Sequence, residues 1–210
     1  MTDVRKLFQD GFRIANAAFF CITLSFYYKP DDDNPVFDET LRKLTVQGML
    51  FLCLYTLSAL MDRHIEALKG VTSFLQHLSH PVSVLITIQA WMFRLTVDND
   101  GLWTFKNNFF HTFNSVSCVL SLVILNQKWD IKKLLIPLTY GFLYGTVEAL
   151  AQYLSEKAVY PELVDFEKSM WITLIIYLTS LVNITWIFFS FYQASKYVNC
   201  CHAKFEKESD

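Results

Sequence analysis

Two polar residues, Thr45 and His111, stand near the starts of two long apolar segments of the chain. A threonine hydroxyl becomes a nucleophile when a nearby histidine takes its proton, so these residue types could form a nucleophile–base pair. An ionisable side chain in a lipid-embedded segment is costly, which makes its presence a hint of function. If the apolar segments alternate in direction across a membrane, both residues lie within about one helical turn of the same face. The pattern therefore predicts a catalytic pair at one depth.

Each residue also has a simpler interpretation. Threonine is common at helix starts, where its side-chain oxygen accepts a backbone N–H, so Thr45 could cap or pack its helix. His111 could form an ordinary hydrogen bond at the membrane interface. A common depth does not establish contact between the two side chains.

Further polar residues lie in or beside the same apolar segments. Four-residue spacing places Tyr140, Tyr144, Glu148 and Gln152 on one helix face. Polar stripes of this kind normally face the interior of a helix bundle or a water-filled cavity. A second stripe is formed by His111, Asn114, Ser115 and Cys118.

Four polar residues in or beside the apolar segments are candidates for binding a substrate or an oxyanion: Arg94, Asn107, Asn108 and Glu148. Arg94 and Glu148 could instead form an ion pair that fixes helix packing. Arg94 could also pair with Asp98 four residues later, or extend its charge to the membrane interface.

Six apolar segments must position these residues, each of about 17 to 25 residues, enough to cross a hydrocarbon core about 30 Å thick. They are residues 11–28, 44–61, 81–97, 109–125, 134–154 and 169–193. The pattern predicts an all-α polytopic membrane protein, a bundle of about six transmembrane helices in one domain, 1–210. Between the second and third segments, residues 62–80 have the pattern of a short interfacial helix that ends at Pro81. Gly141 and Gly145 are spaced for close helix packing.

Composition agrees with a membrane protein. Of 210 residues, 53% are hydrophobic and 16% aromatic. Trp103, Trp129 and Trp171 stand near segment ends, as interfacial anchors do. Lys and Arg number eleven on the side of the termini and six on the other side, which predicts that both termini are cytoplasmic. We expect an integral protein of the endoplasmic reticulum or the cell membrane.

The sequence also indicates which classes of partner and cofactor the protein has. A net charge of -2 gives no basic face for nucleic acid. His77 and His80 have no ligand cluster at metal-binding spacing, and we expect neither a metal nor a cofactor. Cys200 and Cys201 follow the last apolar segment and are candidates for palmitoylation, or they are simply reduced thiols.

Short motifs in order and spacing resemble the androgen-induced gene one family over most of the chain. They are Leu41-Arg42-Lys43-Leu44-Thr45, Asp62, Pro81-Val82, Asp98, Asn107-x-x-x-His111-Thr112 and Val159-Tyr160-Pro161. The chain departs from the family's usual pattern at Asn108-Phe109 and at Gln152-Tyr153.

The resemblance implies a multispanning hydrolase of fatty acid esters of hydroxy fatty acids, with a lipid substrate taken from the bilayer. It implies Thr45 as the nucleophile and His111 as the base. The alternative is a non-catalytic membrane protein, either a small transporter or a partner-binding regulator. In that case Arg94 and Glu148 could form a gated ion pair.

Overall fold

The computed structural model describes residues 2–27, 44–96, 105–155 and 166–208, and within these ranges the chain is all-α, without strands. A 3₁₀ helix, Ile131–Leu134, precedes the fifth α-helix. The α-helices are α1 Thr2–Tyr27, α2 Leu44–Met61, α3 Leu68–Thr96, α4 Phe105–Ile124, α5 Leu135–Ser155 and α6 Phe166–Glu208.

Three described helical segments are long and apolar enough to cross a membrane: Leu44–Met61, Ile131–Leu154 and Ser169–Ala203. The apolar part of α4, His111–Ile124, is shorter. Many large apolar side chains on these helices point outward, among them Leu135, Phe142 and Trp186, which are 65–70% exposed. Exposed apolar surface of this extent is compatible with insertion into a membrane.

The ends of the helices are set by local signals. The long apolar helix of α6 starts at Ser169, where the backbone is extended (φ −160°, ψ 92°) and the side-chain oxygen accepts the N–H of Ile172 at 3.4 Å. This start agrees with the predicted segment 169–193, but the helix continues to Glu208. After α4, Asn126 adopts a left-handed conformation (φ 51°), and the Gln127 N–H bonds back to the Leu122 carbonyl at 3.2 Å. This is the usual way to close a helix C-terminus.

The prediction of a separate interfacial helix in residues 62–80 is wrong. A turn follows α2, and α3 then runs from Leu68 through Pro81 to Thr96 without a break. Proline removes one backbone hydrogen bond from a helix interior. The residues around it are buried on every side by neighbouring helices, and this packing holds the helix together.

Contacts between helix ends show that successive helices alternate in direction. Arg63, after α2, forms an ion pair with Asp10 of α1. The Gln9 side chain donates to the Ile124 carbonyl at the end of α4 (2.8 Å). Two more contacts at the same end are Lys133 to Ser73 (2.5 Å) and Arg5 to His202 (3.1 Å). We call this the terminal end of the bundle, since the start of α1 and the last turns of α6 meet there.

Helix α3 is the central helix, and it packs against α2, α4, α5 and α6. Its polar side chains are therefore buried against other helices. They include Thr72, Gln76, His77, Ser79, His80 and Ser83. Close α5–α6 packing depends on the two predicted glycines: a Cβ on Gly141 would lie 3.0 Å from Leu181, and one on Gly145 would lie 3.1 Å from the Tyr177 ring.

Candidate functional site

The level of Thr45 relative to the central helix α3 follows from Gly48, which lies about one turn further along α2. A Cβ added to Gly48 would collide with the Ile86 side chain of α3 and would lie 3.8 Å from the Val82 side chain, so these α3 side chains lie directly against the α2 backbone. Because α2 and α3 are antiparallel, Thr45 lies about one turn, near 5 Å, further from the terminal end than Gly48. Its depth is therefore that of Thr87 and the residues just after it on α3. The side chain is half-buried.

His111 reaches the same level of α3 from α4. The Thr87 hydroxyl donates to the His111 backbone carbonyl, and the Ser115 hydroxyl donates to Thr87 at 2.7 Å. These two hydrogen bonds fix the second turn of α4 against α3. By helical rise from Gly48, Thr45 therefore lies near the level of α3 that contacts the His111 backbone.

The two residues approach α3 from different sides. Ile86, which faces Thr45's helix, and Thr87, which faces His111's, are consecutive, so their side chains leave α3 about 100° apart. A nucleophile and its base need to meet directly or through one water molecule. The structure brings the two helices that carry these residues to a common level of α3 from different sides.

The polar stripe of α4 faces inward as expected. Asn114 and Cys118 are almost completely buried, and Ser115 is half-buried. The Ser117 hydroxyl, next to this stripe, donates to Asn16 of α1 at 3.1 Å. Hydrogen-bonded polar groups of this kind connect helices inside a bundle.

The stripe of α5 is also buried, but it extends past the level of Thr45. Glu148 and Gln152 are 3% and 5% exposed. Tyr140 donates to the Gln47 side chain at 2.5 Å, which places Tyr140 close to the level of Thr45. Glu148 follows Tyr140 by eight residues, about 12 Å further from the terminal end. Glu148 is therefore separated in depth from the Thr45–His111 level by about two turns.

Three predicted site residues cannot be placed by their side chains. Arg94 lies in the last turns of α3, and Asn107 and Asn108 lie in the first turn of α4. Their side chains are outside the described part of the structure, as is the whole of Asp98.

A second polar cluster, which the sequence did not predict, lies near the terminal end around His77 and His80. Both histidines are at most 1% exposed. The His77 Nδ1 is 2.6 Å from the Ser73 carbonyl, and its Nε2 accepts the Asp130 N–H at 3.2 Å. Because a carbonyl only accepts, Nδ1 carries the proton, and His77 is neutral. The spacing of three residues on a helix was the only sequence signal for this pair.

The same cluster continues through Gln127 and Tyr55. The Gln127 side-chain amide nitrogen lies 2.5 Å from the Tyr55 hydroxyl and 3.2 Å from the His80 Nε2. The ring of Tyr55 packs edge-on against His80, with centroids 4.8 Å apart. These bonds join the end of α4 to α2 and α3. Through these bonds the cluster stabilises the packing of the helices at this end of the bundle.

Trp129 completes this cluster, and the prediction that it anchors the membrane interface is wrong. Its side chain is only 7% exposed. The indole stacks on Phe191 (4.8 Å between centroids, 11° between planes) and meets Phe188 edge-on at 5.1 Å. Trp171, by contrast, is 68% exposed. The side chain of Trp103 is outside the described residues.

In the described part of the chain, no group of three His, Cys, Asp or Glu side chains could hold a metal ion. Cys200 is exposed and Cys201 is half-buried, both within α6, and both are free thiols.

No family model, no curated protein and no solved structure matches the chain.

Proposed function

We propose that the chain is a polytopic membrane protein whose six α-helices, α1 to α6, each cross the bilayer as a single domain. The alternating direction of the helices supports this, as do the exposed apolar faces of α4, α5 and α6. Helix α3 carries many polar residues, but six of its polar side chains between Thr72 and Ser83 are buried by other helices and would be kept from lipid. Buried, paired polar groups are the form in which such residues are tolerated in a membrane.

The terminal end is proposed to face the cytoplasm. Lys and Arg are in excess there, and such an excess marks the cytoplasmic side of membrane proteins. Arg5, Arg63, Lys128 and Lys133 all belong to this end. On this placement Thr45 and His111 lie toward the opposite, non-cytoplasmic side.

Within this bundle we propose an intramembrane ester hydrolase with Thr45 as nucleophile and His111 as general base. The observation that carries the proposal is that Gly48, one turn from Thr45, and the His111 backbone both contact residues 82–87 of the central helix α3. In the active arrangement the His111 imidazole reaches the Thr45 hydroxyl directly, through a bridging water, or after a small shift of α4 toward α2. Both are ordinary changes between a free enzyme and its substrate complex.

The reaction then has two halves. His111 takes the hydroxyl proton as the Thr45 oxygen attacks the ester carbonyl, and returns that proton to the leaving alcohol as the acyl-threonine forms. His111 next takes a proton from water, whose oxygen attacks the acyl-threonine, and the fatty acid leaves as Thr45 regains its proton. Arg94, Asn107 and Asn108 are proposed as donors to the oxyanion or to a substrate carboxylate.

The proposed substrates are fatty acid esters of hydroxy fatty acids. Such a lipid keeps its two acyl chains in the bilayer while its ester and carboxylate stay near the membrane surface. This depth fits a nucleophile close to one end of α2. The family resemblance in the sequence supports the same substrate class.

The test uses purified full-length protein in neutral detergent with two readouts. One is labelling by a fluorophosphonate probe, and the other is fatty acid release from the palmitate ester of hydroxystearate. We expect Thr45→Ala and His111→Ala each to lower release at least about 100-fold, the usual contribution of a positioned base. Matched controls are Thr112→Ala and His64→Ala, whose side chains are exposed. Equal release by all five proteins would contradict both assigned roles.

The second proposed function is a non-catalytic membrane protein, a transporter or a partner-binding regulator. It is favoured by the burial of Glu148, a carboxyl group 3% exposed in α5 and remote in depth from Thr45. Buried acidic residues in membrane helices often mark ion pathways. A wild type that unfolds cooperatively but neither labels nor releases fatty acid would favour this function over the hydrolase.

A further inference from the structure

A cleft of about 560 Å³ opens at the terminal end, between the connection that follows α4 and the last turns of α6. This cleft is separate from the level of Thr45 and His111, which lies toward the other end of the bundle. Its lining includes Asn126, Lys128, Trp129, Lys196, Asn199 and His202. Its volume exceeds that of one phosphate group and would admit a lipid headgroup.

The cleft is basic. Lys128 and Lys196 line it from opposite sides, and His202 adds an imidazole whose Nδ1 is 3.1 Å from the Arg5 guanidinium. No carboxylate lines it among the residues that the structure describes. The Lys196 ammonium lies over the Tyr192 ring, 4.2 Å from its centroid, which holds this charge near the rim. Several cations around one concave surface favour an anion.

A buried donor provides an independent sign of a ligand. The Trp129 indole N–H has no hydrogen-bond partner among the described groups, although the side chain is 93% buried. An indole nitrogen can only donate, so this group calls for an acceptor. Stacking on Phe191 and Phe188 fixes the orientation of the ring, and Trp129 lines the cleft.

We propose that this cleft binds the phosphate group of an anionic ligand, held by Lys128 and Lys196 and by the Trp129 N–H. The level of the cleft favours a phospholipid headgroup. At the same end of the bundle, Tyr197 and Leu135 are 70% exposed or more, and further apolar residues of α5 and α6 are exposed along both helices. Basic pockets between helices on the cytoplasmic side are the usual binding sites of anionic headgroups. The inference rests on the proposed membrane placement and is independent of the hydrolase activity.

The test measures binding of dioctanoyl phosphatidylinositol phosphate to the purified full chain in neutral detergent. A parallel titration uses inorganic phosphate. We expect Lys128→Gln and Lys196→Gln each to weaken lipid binding about fivefold, and the double variant about 25-fold. Trp129→Phe keeps the ring and removes the N–H, and it should weaken binding several-fold. The matched controls are Lys132→Gln, an exposed lysine at the same end outside the cleft, and Trp186→Phe, an exposed tryptophan.

The outcomes separate the possibilities. Weaker binding in the cleft variants with unchanged controls supports the site, and a much weaker response to inorganic phosphate assigns it to a lipid. Equal binding of inorganic phosphate would support the phosphate site with a soluble ligand as its source. If Lys132→Gln weakens lipid binding as much as Lys128→Gln, the lipid is attracted by the general positive charge of this end and not by the cleft. That result would overturn the proposal. Loss of ester hydrolysis in the Thr45 variant leaves all of these results unchanged, so the two proposals fail separately.

Discussion

Replacing Trp129 with alanine should strongly destabilise the fold. The indole fills the space between the turn after α4 and helix α6, where it contacts Phe191, Phe188 and His77. These neighbours are themselves buried and belong to different helices, so they cannot simply close on the space left behind. The Trp129→Ala variant should therefore leave a cavity at the terminal end.

The size of the effect follows from the buried surface. A buried aromatic side chain removes about 150–250 Å² from solvent. At about 25 cal/mol per Å², this corresponds to roughly 4–6 kcal/mol. Aromatic-to-alanine changes in cores cost about 3–5 kcal/mol in practice, so we expect a loss of about 4 kcal/mol. For a chain of this length, that loss lowers the midpoint of thermal unfolding by about 8–16 °C.

The assay follows thermal unfolding in neutral detergent with a dye that becomes fluorescent on reaction with thiols. Cys53 and Cys118 are buried and become reactive only when the bundle opens. The matched control is Trp171→Ala, since Trp171 is 68% exposed and stood in the same predicted class of interfacial anchors. Its midpoint should change by no more than about 2 °C, as expected for a surface substitution.

Equal midpoints for the Trp129 and Trp171 variants would refute this reasoning. They would mean that Trp129 lies at the interface, as its sequence position suggested, and that the aromatic cluster around it does not form. The cleft proposal would then lose its buried donor as well.

Two other expectations test helix placement. Thr87→Val keeps the shape of the side chain but removes the hydroxyl that holds the His111 carbonyl. If that contact positions the base, ester release should fall about tenfold or more while the unfolding midpoint shifts by only a few degrees, since small misplacements strongly reduce catalysis. Unchanged release would separate Thr87 from the site. The Cys21 and Cys53 sulfurs lie 3.3 Å apart, so a membrane-permeable oxidant should join α1 to α2 by an intramolecular disulfide. Mass spectrometry of peptides should find this link and none to Cys118; a link to Cys118 instead would contradict the packing of α1.

Several elements could be read from the sequence because local signals specify them. The apolar run 44–61 coincides with α2, and Ser169 starts the long apolar helix of α6 through its own capping hydrogen bond. The two glycines of α5 were predicted to allow close packing, and they lie against Leu181 and Tyr177. In each case the residues that decide the structure are close together along the chain.

Helix α3 shows where local reasoning stops. Its polar residues lower the hydropathy of residues 68–80, and Pro81 marks a break in most sequence patterns. The chain nevertheless continues as one helix, because four neighbouring helices cover it and other elements supply partners for some of its polar groups, among them Gln76, His77 and Gln89. The helices that cover α3 contribute residues far from Pro81 in the sequence. A short stretch of sequence around Pro81 therefore cannot predict that the helix continues.

The candidate site is divided in the same way. The sequence alone predicts that Thr45 and His111 share a depth, since that prediction depends only on helical rise and on the alternating direction of the helices. Only the tertiary structure decided their positions around α3, the separate level of Glu148 and the burial of Trp129. Those depend on how each helix is rotated about its axis, which is fixed by packing against the other helices.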